Sequence, residues 1–473
     1  MSTRHVVIIG AGLAGLSAAE TLARVDRSGI KITLFEAKRI AGGRAGSFTD
    51  TLTGNAVDYC QHVAMGCCTN LLGLLSRCGL ERSMNRYERL QFYHPAFPVS
   101  EFSPSRFLPA PLHLAKVIGQ QRYLSCSAKK QIRSAMRRLF RTPTKRLQSV
   151  TALDWLEQQN QSADAIRDFW SVILVSALGD TCDHASMAAA RKVFVDGFAA
   201  AKGASDVLVP QRPLSEWLGC DLVKAIEATG IHFRSQSAVK RIVTEGPLLV
   251  GVETLAGELI KADAIISAVP WHAFGRLVDA SGISEAIPNL DSIRSIPSSP
   301  ITGIHLWFDR PIMTSAHAVL IGGLAQWVFR QPFEGTSNDS RNHYYQVVIS
   351  GAYSISELSK DEMIDQVISE LGGHFPIAKQ ARLEHSRIVT DPFSVFSIRP
   401  DVEAIRPCSR CERLPWLSLA GDWTATGWPS TMEGAVISGI QAASSAAQYF
   451  GFASPEPDGG LSKSWLARML IVE

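Results

Sequence analysis

No stretch of this chain approaches the roughly 18 consecutive apolar residues of a membrane-crossing helix, so none is expected. Charge of one sign is also scarce. Lys and Arg number 47 against 44 Asp and Glu, and a net charge of +3 gives nucleic acid no bulk attraction. Cysteine is sparse and odd in number, nine with no repeating spacing, which excludes a disulfide framework and suits a reducing compartment. Cys408-x-x-Cys411 has no second pair and no nearby His, so no metal site is expected. The first strand opens at about His5, leaving no room for a secretory leader, and a cytoplasmic location is expected. One absence is local: between Glu101 and Asp154 there is no acid at all. What is plentiful is apolar residue, 46% of 473, enough for two domains or one large domain with insertions.

The chain opens on Val6-Val7-Ile8-Ile9, a short apolar run that reads as a buried parallel strand. Gly10-Ala11-Gly12-Leu13-Ala14-Gly15 follows, then helical spacing from Leu16 to Arg24. Strand, G-x-G-x-x-G and helix in that order are the context of a dinucleotide fingerprint. The first glycine permits the turn, the second lets backbone approach a pyrophosphate, and the third lets helix pack on strand. N–H groups at the helix start then face the phosphates. A second strand, Ile32 to Phe35, ends in Glu36, placed to hold ribose hydroxyls with Ala37 beside it. The alternative is a glycine-rich turn that binds nothing.

Gly42-Gly43-Arg44 comes next: two glycines let the loop lie against a ligand, and the guanidinium can meet a phosphate. This E-x5-GGR arrangement resembles the FAD-dependent amine oxidase and phytoene desaturase superfamily. That resemblance implies non-covalent FAD rather than NAD, and a Rossmann-like domain of the GR2 type. It implies that Val57 to Val63 runs along the flavin ring, with Cys60 standing where a glycine is usual. His62, with Gln61, is either a hydrogen-bonded structural group or a polar group facing flavin and substrate. Val239 is expected to touch the adenine through its backbone, and the turn from Ala268 to Pro270 to close over the dinucleotide. Near the end, Gly421-Asp422 follows a strand and precedes a helix opening at Met432. Asp422 is expected on a ribityl hydroxyl. The N–H groups of Thr431 and Met432, with Ala435 in the same block, are expected at the flavin's electron-poor edge, where a helix start stabilises negative charge.

Between these blocks, Thr69 or Asn70 is the expected cap of a helix carrying Leu71, Leu72, Leu74 and Leu75. Residues 91–112 are rich in proline and aromatics and read as a crossing into a second domain. The acid-free stretch carries nine basic residues from Arg122 to Arg146, with Ile132, Met136, Leu139 and Phe140 at helical spacing. It reads as a helix lying on an anionic membrane surface or as a solvated basic face. Ile301 to Phe308 and Tyr344 to Ser350 alternate as half-buried antiparallel strands. Trp307, Phe308, Trp327, Phe329, Phe393 and Phe396 are expected to line a cavity. The apolar tail from Trp465 to Val472 either dips into a bilayer or docks on the body.

Across nearly its whole length the chain resembles the hydroxysqualene dehydroxylases. The marks are Gly43-Arg44-Ala45-x-Ser47-Phe48, Gln61-His62-Val63, Gly66 to Asn70, Phe169-Trp170, Ala185-Ser186-Met187, Val209-Pro210 with Pro213 to Ser215, Arg406-Pro407, and Ala420 to Thr424. Cys60 and Gly179, the latter where Asn is common, depart from the pattern and bear on flavin and substrate contact. The resemblance implies reduction of hydroxysqualene to squalene by reduced FAD, with His62 or Gln61 near the reacting carbon. It implies an isoprenoid lipid substrate, peripheral membrane contact, upstream squalene-pathway synthases as candidate partners, and no nucleic acid. Rival readings are a phytoene-type desaturase or isomerase, a flavin amine oxidase, and a non-catalytic prenyl-lipid escort. The expected fold is α/β: a discontinuous FAD-binding domain (1–90, 205–296, 412–450), and an inserted α+β substrate domain (91–204, 297–411) with a mixed or antiparallel sheet and a helical part. A tail spans 451–473.

Overall fold

The computed structural model describes residues 3–26, 29–330 and 343–472. Five strands form a wholly parallel sheet: β1 (Arg4–Ile9), β2 (Ile30–Phe35), β3 (His232–Arg234), β4 (Ala264–Ser267) and β5 (Leu417–Leu419). Their order is β3-β2-β1-β4-β5, so the winding reverses at β1. In such sheets the crevice at the reversal, outside the strand carboxyl ends, is where ligands bind. Val6 to Ile9 is an unbroken apolar run because helices cover both faces of the strand.

Helix α1 (Leu13–Val25) starts earlier than the spacing suggested. It packs on α4 (Met432–Tyr449), the last long helix. Both carry small residues at the contact. A Cβ at Gly439 would stand 2.3 Å from the Ala14 carbonyl oxygen, so a side chain there would push the helices apart. Ser17 adds a hydroxyl bond to the Val436 carbonyl (2.9 Å).

The second body is a seven-stranded mixed sheet in the order 383–396, 298–308, 343–350, 327–330, 317–320, 90–94, 97–102. Its strands pair antiparallel except for 317–320 with 90–94. The two alternating segments, Ile301 to Phe308 and Tyr344 to Ser350, pair directly with each other. Helices between 112 and 199 cover the neighbouring side. Among the described residues no helix is long and apolar enough to cross a membrane.

Four expectations change. Helix α2 (Thr69–Arg77) is not capped by Thr69 or Asn70; its cap residue is Cys68, with no side-chain bond. Glu433 supplies the acceptors instead, as described below. The basic helix α3 (Cys126–Arg141) buries Ile132 and Leu139 in the main core, so its apolar stripe is spent on the protein. Of the six aromatics expected to line a cavity, Trp307, Phe308, Phe329 and Phe396 are buried packing residues, and Phe393 is exposed. Only Trp327 is part-buried, its indole N–H donating to the Ser176 hydroxyl (2.9 Å). Gly179 is the left-handed end of the helix Ser171–Leu178, with φ +69°. Gly and Asn are the residues that most readily adopt this conformation, so the position has a role in helix termination as well. The tail docks: α5 (Trp465–Leu470) is capped by Ser464, and Ala467 and Ile471 bury against Val195, Ala199 and Ala200.

Candidate cofactor and substrate site

At the carboxyl end of β1 the chain turns on Gly10, whose φ of +103° strains any other residue. Strands on either side hold the turn: Gly10 N–H donates to Phe35 O, and Ala268 N–H donates to Ile9 O (2.8 Å each). A Cβ at Gly10 would stand 2.9 Å from Ala268 O, and one at Gly15 would stand 1.9 Å from Gly10 O. Those two glycines are therefore steric necessities of the turn. Gly12 is different. Its backbone is ordinary (φ −72°), and the nearest atom to a Cβ is Gly43 Cα at 3.9 Å. Among the described residues nothing requires Gly12 to lack a side chain, so the space it leaves suits a ligand.

Gly12 is the cap residue of α1, with no side-chain cap bond and no acid in the first turn. The helix start thus keeps its donor groups and positive dipole end for an anion. Gly42-Gly43 lies alongside, through Gly42 N–H on Ala11 O (2.8 Å). Glu36 ends β2 beside the same turn, accepting from Ala11 N–H and Lys38 N–H (2.9 Å each). Ser237 N–H bonds the Glu36 carbonyl (2.9 Å), which brings the strand starting at Val239 to this edge. A cavity of about 180 Å³ lies here, lined by Lys38, Ala41, Gly43, Ser47 and Tyr59 among others.

The carboxyl-terminal wall comes from far along the chain. Gly421 (φ +148°) leaves room for the Trp423 indole, whose N–H donates to Val269 O (3.0 Å). That bond joins the Gly421-Asp422 turn to the Ala268–Pro270 turn. Arg44 pairs with the Asp422 carboxylate and donates to Ser394 O (2.9 Å). Asp422 also accepts from the Ser430 hydroxyl. Thr431 caps α4, accepting from Gly434 N–H (3.0 Å), with Met432 and Ala435 in the first turn. So the expected cofactor residues gather at one edge, but Arg44 and Asp422 meet each other. An open helix start, a glycine cradle and an acid at the end of β2 together fit the diphosphate and ribose of a dinucleotide.

Between this edge and the large sheet runs the 58–63 segment. His62 Nδ1 bonds Cys60 O (2.9 Å), as a structural histidine would. Burial, helped by the nearby Arg44 charge, lowers its pKa, so the imidazole is neutral near pH 7. Buried Gln61 donates from Nε2 to His62 O (3.2 Å). Burial pushes the Cys60 thiol up to about 12, so it stays protonated. The glycine missing at Cys60 has a counterpart on the facing strand. A Cβ at Gly303 would stand 2.7 Å from Tyr59 O and 3.5 Å from Cys60 Cα, so Gly303 permits the close approach.

Three buried groups carry more than their sequence positions suggest. Asp58 accepts from the Ser47 hydroxyl (2.6 Å) and Leu214 N–H (2.8 Å), and burial raises its pKa to about 7. Glu433 accepts from Asn70 N–H (3.0 Å), Asn70 Nδ2 (2.8 Å) and Leu71 N–H (2.8 Å). Arg406 donates to the carbonyls of Asp422 (2.9 Å) and Thr424, holding the loop that carries Asp422. Each lay in or beside a block already marked in the sequence (Val57 to Val63, Met432 to Val436 and Arg406-Pro407), but nothing local gave its partners.

The family described as "Flavin containing amine oxidoreductase" matches residues 13–447. The chain is similar to 15-cis-phytoene desaturase of Solanum lycopersicum, 25% identical over 92% of this chain and 76% of the relative. It is 24% identical to hydroxysqualene dehydroxylase of Sinorhizobium fredii, over 93% of this chain and 97% of the relative. A solved oxidoreductase from Methanosarcina mazei shares the fold with a TM-score of 0.70 at 16% identity, covering 92% of this chain and 99% of the other.

Proposed function

The chain belongs to the flavin containing amine oxidoreductase family and is an FAD-dependent oxidoreductase; from that premise we propose that it reduces hydroxysqualene to squalene. FAD, when bound, supplies hydride chemistry. The residues that would hold it are Gly10 to Gly15, Glu36 with Ala37, Gly43, Arg44, Val239, the Ala268–Pro270 turn, Gly421, Asp422, Thr431, Met432 and Ala435.

The balance of the reaction is one hydroxysqualene, two electrons and two protons giving squalene and water. An allylic hydroxyl leaves as water once protonated, and the carbon receives hydride. The protein's share is to hold an apolar chain, exclude water and position the hydroxyl. The observation that carries this reading is the Gln61-His62 pair, Gln61 buried and His62 part-buried, between the dinucleotide edge and the large sheet. With Nδ1 bound to Cys60 O, Nε2 is the nitrogen through which His62 meets a ligand. A neutral imidazole there orients a hydroxyl rather than protonating it. The near end-to-end similarity to a hydroxysqualene dehydroxylase supports the same substrate class.

Desaturation of a polyene isoprenoid is the second reading, favoured by the similarity to phytoene desaturases. The two run in opposite redox directions. Anaerobic, chemically reduced enzyme mixed with hydroxysqualene is expected to reoxidise its flavin and form squalene. Absence of both, with flavin bleaching when the oxidised enzyme meets phytoene, would replace the first reading by the second.

A further inference from the structure

We infer that the docked tail, the 105–112 loop and the end of the basic helix form one docking face for an anionic phospholipid bilayer. The inference takes its purpose from the isoprenoid reading, but it rests on surface features alone. The three segments are joined. Ser464, which caps α5, bonds the Ala110 carbonyl, and its N–H donates to Ala200 O (3.1 Å). Val472 N–H donates to Phe140 O (2.9 Å), linking the tail to the end of α3. Lys202 Nζ donates to Arg106 O (2.8 Å). An open cavity of about 510 Å³ lies between loop and tail, bordered by Phe107, Pro109, Lys202 and Trp465.

Docking uses only part of the tail's apolar surface. Ala467 and Ile471 point into the body, while Trp465 and Met469 are 66% and 75% exposed. Phe107 across the cavity is 95% exposed, and Leu108, Leu112, Leu470 and Val472 are exposed too. A soluble protein rarely leaves so many large apolar side chains together in water. The charge in these segments is mainly basic. No acid occurs between Glu101 and Asp154, nor from Gly459 to Val472. Arg141, Lys145, Arg146 and Arg468 are exposed, and the nearby acid Glu88 is taken by Arg106 (2.9 Å). Apolar side chains rimmed by unopposed cations match an anionic lipid surface, where acyl region and headgroups satisfy both at once. The buried stripe of α3 is consistent with this: α3 contributes charge, and the loop and tail contribute the apolar contact.

The test is co-sedimentation of the full holoprotein with vesicles of phosphatidylcholine alone or with phosphatidylglycerol added. Binding is expected to the mixed vesicles, weakening as salt rises. Arg141→Glu, Lys145→Glu and Arg146→Glu together should lower partitioning at least about a hundredfold, at about fivefold for each basic residue lost before the added repulsion of the carboxylates. Phe107→Ser, Trp465→Ser and Met469→Ser together should abolish binding while flavin absorbance and thermal midpoint stay unchanged, since all three side chains face solvent. No sedimentation with anionic vesicles, or equal binding by either triple variant, would overturn the proposal. So would ultracentrifugation showing a dimer that the apolar variant loses, which would make the face an interface between copies. No isoprenoid enters the assay, so its outcome is separate from that of the substrate reading.

Discussion

Arg44 and Asp422, 378 residues apart in sequence, share an ion pair at the edge of the parallel sheet. The pair links the opening glycine loop to the closing strand, and Arg406 holds the loop behind it. Removing one partner leaves a buried carboxylate with only the Ser430 hydroxyl. Arg44→Ala should therefore destabilise the apoprotein by about 1–3 kcal/mol, below the fully buried range because Arg44 is partly solvated. Adding Asp422→Asn should recover part of that stability without recovering flavin binding. Denaturant unfolding and flavin titration of the single and double variants check this.

Gly12 and Gly15 should respond oppositely to alanine. Gly15→Ala places a methyl 1.9 Å from Gly10 O, so the turn must break and folding yield should collapse. Gly12→Ala meets only ordinary contact at 3.9 Å. It should fold with a thermal midpoint near that of the parent, yet lose flavin, because its methyl occupies the space left for the diphosphate. A colourless, stable Gly12→Ala protein is the expected result; full flavin loading would remove Gly12 from the site.

Glu433 joins the start of α4 to the start of α2. Glu433→Ala leaves the Asn70 and Leu71 backbone N–H groups without their acceptors, while Asn70 Nδ2 keeps the Asp458 carbonyl, a cost of about 2–4 kcal/mol. Glu433→Gln keeps one acceptor oxygen and should cost less. Urea midpoints of both variants give the comparison.

Acid should destabilise the protein below pH about 6.5, through histidines held neutral by burial. His305, on the 298–308 strand and edge-on to Phe48, is lowered from 6.5 to about 4, first by burial and then by Arg387. His317 is lowered to about 4 by burial alone. As pH falls, the unfolded chain protonates first, so stability present above pH about 6.5 is lost down to about 4. Each histidine accounts for on the order of 3 kcal/mol. Asp58 has the opposite sign. Its carboxyl is raised from 3.8 to about 7, so its contribution is full below 3.8 and lost as pH rises through 7. Asp58→Asn removes that opposing trend. Its thermal midpoint should climb more steeply than the parent's between pH 4 and 6.5.

The fold was legible where the signal is local. Val6 to Ile9, Gly10 to Gly15 and Glu36 lie within one βαβ unit, and period, glycine spacing and strand-end acid report on neighbours in sequence. The alternation of Ile301 to Phe308 likewise found its partner in Tyr344 to Ser350. What was illegible depends on distant partners. Nothing near Asn70 reveals that Glu433, 363 residues on, accepts from its backbone N–H. Alternation assigned Trp307 and Phe308 to sheet faces but could not say that both faces are covered. Trp307 stacks on Tyr344 and His385 on one side, and Phe308 meets Tyr345 on the other. The amphipathic spacing of α3 was read correctly as a stripe, but a protein core and a bilayer select the same spacing.

The parallel sheet takes its strands from five separated parts of the chain, the last at Leu417–Leu419, and α4 closes against α1 after that. A nascent chain emerging from the ribosome therefore carries the fingerprint hundreds of residues before it carries the opposite wall. Until Asp422 and α4 are made, the first βαβ unit has one face of its helix bare and half a ligand site. Uptake of the yellow cofactor should thus mark completed synthesis, and chains released short of residue 417 should be colourless and exposed to proteolysis.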